Sequence, residues 1–142
     1  MSVGMTVPRT RPGGPGRALT VRAAVLAGLL LARLSPRRLR TLLGRAATGA
    51  RPAPYRMAER HYREVVGASA RCAGWQGCLP RSIAVALLCR LRGGWPQWCV
   101  GVRATPPFAA HAWLEAEGRI VAEPGGSGDY RALIRVGAGR DH

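Results

Sequence analysis

The sequence predicts an α+β fold: N-terminal helices, then a central cysteine-opened helix packed on a small antiparallel sheet. Two observations predict it. Apolar residues recur at helical spacing up to Arg92 and alternate at strand spacing beyond Trp98. The run Leu79–Leu91 is apolar on nearly every side, as expected of a helix buried at the centre of a domain. Helices first and strands after is the order of an α+β architecture, and 142 residues fit one globular domain.

Residues 1–17, with Pro8, Pro12, Pro15 and four glycines, predict a disordered tail. Leu19–Leu34 predicts a first helix, and Ser35-Pro36 breaks it, with Ser35 as a cap and Pro36 in a first turn. Arg37–Ala47 predicts a second helix with Leu39, Leu42 and Leu43 on one face. Thr48–Pro54 is a linker. Residues 18–54 thus form a helical pair and linker ahead of a core spanning 55–142.

Tyr55–Ala73 predicts a third helix, with Met57, Tyr62, Val65 and Val66 inward. Arg56, Glu59, Arg60, Arg63 and Glu64 face solvent, and His61 falls among them as a surface histidine. Gly74-Trp75-Gln76-Gly77 approaches Cys78. The central helix follows to Arg92, with Pro80 in its first turn and Gly93-Gly94 ending it. Strands are predicted at Trp98–Arg103, His111–Ala116, Arg119–Glu123 and Tyr130–Val136. Pro106-Pro107 and the glycine-rich Pro124–Gly128 are the intervening loops.

The 22 basic residues are all arginine, and the net charge is +15. Such a balance favours acidic partners. The chain lacks the basic helix, interleaved aromatics or motif of a nucleic-acid reader, so no nucleic-acid partner is expected. Cys72, Cys78, Cys89 and Cys99 form no C-x-x-C or paired Cys/His set, so neither a metal nor any other cofactor is expected. Arginines precede the apolar Ala23–Ala32, but Arg33 follows at once without a cleavage pattern. That run is too short to span a bilayer. The expectation is a cytoplasmic protein with reduced thiols and at most peripheral membrane contact.

The chemistry lies in an order of three residue types. Cys78 opens the central helix, His111 follows 33 residues later at a strand start, and Glu123 follows 12 residues after that. A thiol attacks as thiolate, and a helix N-terminus with a neighbouring imidazolium lowers its pKa from near 8.5 to roughly 3.5–7.5. An acid on the other ring nitrogen fixes the tautomer. Glu123 is the candidate acid, with Asp129 and Glu115 as fallbacks. The Cys78 backbone N–H, the Gln76 amide and the Trp75 indole are oxyanion candidates. Cys89 and Cys99 are expected in the core. The alternative is a basic binding module in which Cys78 is core and His111 a structural histidine.

Cys78-Leu79-Pro80-Arg81-Ser82, the arginine-rich helix end with Gly93, and Pro107-Phe108-Ala109-Ala110-His111-Ala112-Trp113-Leu114-Glu115 resemble the lasso-peptide leader peptidases. These are the transglutaminase-like cysteine protease half of the split lasso-peptide B protein. The resemblance covers about residues 19–136 and implies a transglutaminase-like, papain-like fold. It implies a protease that removes the leader of a ribosomally made precursor peptide. A separate leader-recognition protein would present the substrate, and an asparagine-synthetase-like cyclase would close the ring. It assigns Cys78 as nucleophile and His111 as base. The family usually has Asp where this chain has Glu123.

Register tests the acid. A three-residue loop Ala116-Glu117-Gly118 would pair Glu115 with Arg119, Trp113 with Val121 and His111 with Glu123. A two-residue loop would place Glu123 on the face away from His111. The charge match of the first arrangement favours the three-residue loop.

Overall fold

The computed structural model describes residues 14–74, 76–104, 106, 109–122 and 130–138. Among the described residues, five helices precede or flank six strands: α1 (Gly14–Leu31), α2 (Pro36–Ala47), β1 (Arg51–Pro52), α3 (Tyr55–Ala68), α4 (Ala70–Ala73), α5 (Cys78–Leu91), β2 (Gly94–Trp95), β3 (Gln97–Arg103), β4 (Ala110–Ala116), β5 (Arg119–Ile120) and β6 (Tyr130–Val136). The main sheet is antiparallel in the order β5-β4-β3-β6.

α5 is the axis of the core. Its residues 81–86, with Leu88 and Cys89, are buried, because α1 and α3 cover one side and the sheet the other. α1 approaches so closely that a Cβ on Gly28 would stand 2.5 Å from the Pro80 carbonyl oxygen. The sheet is pinned by indole donors: Trp98 Nε1 donates to Ser82 Oγ on α5 at 3.0 Å, and Trp95 Nε1 to the Val136 carbonyl at 3.1 Å. Buried indoles need such partners.

Several expectations hold. Ser35 Oγ accepts from the Arg38 N–H at 3.4 Å, with Pro36 opening α2. β6 spans the residues expected of it, and α5 lies within a residue of its expected bounds.

Others are corrected. Residues 1–13 of the expected tail lie outside the described residues, but 14–17 are helical. Arg17 ties that turn to Glu64, with its Nε donating to Oε2 at 3.1 Å. α1 ends at Leu31, not Leu34. The linker carries β1, which pairs in parallel with β2 (Arg51 with Gly94, Pro52 with Trp95). The third helix is broken at Ser69, whose Oγ accepts from the Cys72 N–H at 3.1 Å and starts α4; a serine that can cap a new turn competes with helix continuation.

His61 is not on the surface. It is fully buried, with Nδ1 2.7 Å from Glu64 Oε1 and 3.0 Å from Arg17 Nη2. Periodicity within α3 could not show that α1 covers this face.

The β4–β5 loop has two residues, not three: Glu115 pairs with Ile120 and Ala116 with Arg119. Glu117 (φ 53°) and Gly118 (φ 77°) are both left-handed, as a tight primed turn requires. The cost of the left-handed glutamate is offset because its carboxylate accepts the Tyr55 N–H at 2.7 Å and caps α3. That long-range bond outweighs the local Glu115–Arg119 match. The Val121 N–H still bonds the Leu114 carbonyl at 2.9 Å, and left-handed Ala122 (φ 58°) then turns the chain out of the ladder.

Candidate active site

Two elements converge at the first turn of α5. The chain reaches it through Gly77, which is buried with no room for a side chain. A Cβ there would lie 2.0 Å from the Arg71 carbonyl oxygen. Cys78 is the first helical residue and half-buried. Pro80 sits where a missing N–H costs nothing.

β4 supplies the other half. The side chain of His111 hydrogen-bonds the Cys78 thiol, and the Ala112 backbone N–H donates to the same sulfur. Burial pushes the thiol pKa up. The bonds from His111 and Ala112, with the positive charges of His111 and Arg81, outweigh it and hold Cys78 below its ordinary value. The opposite holds for the cysteines expected in the core. Burial pushes Cys89 and Cys99 up to about 12 each. Cys72 is fully buried.

Sequence reasoning overlooked three parts of the site. Arg81 is buried yet charged. Its Nη1 donates to the Cys72 carbonyl at 2.8 Å and the Gly74 carbonyl at 3.4 Å, and its guanidinium lies 5.5 Å from the Tyr62 ring centre. It therefore fastens the turn leading to Cys78 and adds positive potential beside the sulfur. The signal was present: Arg81 is the single charged residue in the apolar stretch Cys78–Cys89.

The other two parts are aromatic. His111 stacks on Tyr130, with centroids 5.0 Å apart, and on Trp113 at 5.9 Å; the Trp113 and Tyr130 rings also touch each other, 5.1 Å apart. Alternation along β4 puts residues 111 and 113 on one sheet face. A bulge at Val100/Gly101 brings β6 so close that a Cβ on Gly101, opposite His111, would meet the Arg131 carbonyl oxygen at 1.9 Å.

Glu123 and Asp129 lie outside the described residues, as does Trp75. The register that was to bring Glu123 opposite His111 is not the one observed. Glu115 is engaged elsewhere: it accepts from Trp113 Nε1 at 2.9 Å and Arg135 Nη1 at 3.2 Å. Four strand residues, about 13 Å, separate it from His111. Gln76 is exposed in the turn before Gly77.

A half-buried thiol at a helix start, bonded to a strand histidine and held below its ordinary pKa, has the makings of a nucleophile. Residues 21–135 match the transglutaminase-like superfamily. The chain belongs to that superfamily, which includes cysteine proteases and acyl transferases. No curated protein and no solved structure matches it. Among the described residues, no helix is long and apolar enough to cross a membrane.

Proposed function

We propose that this chain is a cysteine protease that removes the leader from a ribosomally synthesised lasso-peptide precursor. The observation that carries the reading is the placement of the half-buried Cys78 thiol at the start of α5 against His111 of β4, a setting that holds the thiol below its ordinary pKa. The two motifs around these residues, which resemble the lasso-peptide leader peptidases, supply the substrate class.

In the proposed reaction, His111 takes the Cys78 proton and the sulfur attacks the carbonyl at the leader–core junction. The developing oxyanion is held by the Cys78 backbone N–H, with Gln76 and Trp75 as further candidates. The imidazolium protonates the departing core amine as the C–N bond breaks, and water then hydrolyses the thioester and frees the leader. Glu123 or Asp129 orients His111. A separate leader-recognition protein presents the precursor, an asparagine-synthetase-like cyclase acts on the product, and the site of action is the cytoplasm.

The superfamily also includes acyl transferases, and the same acyl-enzyme could pass its acyl group to an amine. Incubating the chain with the precursor encoded beside its gene, with and without the recognition protein, separates the readings by mass. Hydrolysed leader plus free core is the expected outcome. An amide-linked adduct would make it a transferase. A Cys78 thiol inert to iodoacetamide at pH 6 would leave a basic binding module. Comparing Glu123→Gln with Asp129→Asn identifies the orienting acid as the one whose loss slows cleavage.

A further inference from the structure

We propose that the outer face of α1 is a docking seam for a partner protein's helix whose flanks carry carboxylates. α1 has two apolar faces. Val21, Ala24, Val25 and Gly28 form the inner one and pack on the core. On the opposite side Leu19, Leu26 and Leu30 are 66%, 58% and 56% exposed, with Ala23 exposed between them. Their spacing of four, three and four residues is that of alternating a and d positions in a heptad. A helix wetted on one side has no folding reason to carry leucine at three of four such positions; a facing helix supplies one.

Charge selects the partner. Residues 14–58 contain nine arginines and no aspartate or glutamate. Arg22 borders the seam, and Arg33 is exposed two residues past the last turn of α1. A second copy would bring like charges together, whereas carboxylates along a facing helix would pair with them. A lipid surface fits less well. Interfacial helices insert a broad apolar face, often with an aromatic residue. This seam is narrow, and residues 14–47 contain no aromatic residue. Position gives the seam a use: Gly28, on the inner face, rests against Pro80 in the helical turn that carries Cys78. A partner docked on α1 sits one helix away from the thiol.

The probe is a four-heptad synthetic peptide with leucine at a and d and glutamate at e and g. Its control has serine at a and d with the same charge. The full-length chain should bind the leucine peptide and not the serine peptide. Leu26→Gln/Leu30→Gln should weaken binding by at least ~10-fold. That double variant alters only exposed positions, so an unchanged Cys78 alkylation rate checks its fold. Equal binding of both peptides, or full binding by the variant, overturns the seam. So does self-association of the wild type through this face. Sedimentation with phosphatidylserine/phosphatidylcholine vesicles that the variant loses, without peptide binding, assigns the face to membrane instead.

Discussion

The two ends of α5 carry the same residue in opposite conditions. Cys78 opens the helix, half-buried, and its thiol is held below its ordinary pKa. Cys89, eleven residues on, is fully buried and pushed up to about 12, by desolvation first and then by the negative charge of Glu64. The N-terminal end has a donor from His111, a backbone N–H from Ala112 and the charge of Arg81. The residues around the other end supply apolar packing and a carboxylate. Reactivity in this helix follows from what stands beside the sulfur, not from the sulfur itself.

The sharpest way to break this contrast is to exchange the losses. Cys78→Ala should abolish cleavage and iodoacetamide labelling at pH 6. Cys89→Ala should keep both and lose about 1–2 kcal/mol of stability, read by urea denaturation. Cleavage by the Cys78→Ala protein would end the contrast.

His111→Gln should come next, lowering cleavage by roughly 10²–10⁴-fold. It should also move the pH dependence of Cys78 alkylation upward, since burial then acts on the thiol with less opposition. An unchanged profile would mean that Ala112 and Arg81 suffice.

Gly77→Ala tests the approach to the thiol. The added methyl would meet backbone, not a yielding side chain. A cost of roughly 2–4 kcal/mol is expected, together with slower alkylation as the turn before Cys78 shifts.

The smallest effect belongs to the far end. Burial, the largest influence, lowers the pKa of His61 below its ordinary 6.5 despite the Glu64 bond. The unfolded chain therefore takes up this proton first, and stability should fall as pH drops below about 6.5, by at most about 1.4 kcal/mol per pH unit. Glu64 behaves differently. Burial raises its pKa, but bonds from Arg17 and His61 outweigh that and leave it below 4.5. Its contribution is present above pH 4.5 and is lost as pH falls through the depressed value. His61→Gln should flatten the upper slope only, as read by thermal melting across pH.

The sequence made α5 itself far more legible than what packs against it. Local signals mark both its ends: an apolar run, a proline tolerable only in a first turn, and a glycine pair after the last. The α+β order and the strand β6 are equally local. What escaped depended on distant residues. His61 is buried because Arg17, 44 positions earlier, folds back over α3. The β4–β5 turn is short because Glu117 caps a helix 62 positions earlier. The break at Ser69 was visible as a capping residue, but the periodicity running through it argued for one helix. The expected pairing of Glu123 with His111 depends on a register that this turn overrides.

The ring stack around His111 gives the protein an optical reporter of its own site. An imidazolium in contact with an excited indole quenches its emission, and a neutral imidazole does so far less. Trp113 is 2% exposed, so solvent does not mask the effect, and its ring lies 5.9 Å from His111. Intrinsic fluorescence should therefore brighten as the imidazolium loses its proton. Trp113→Phe would silence the signal while Trp95 and Trp98 go on emitting.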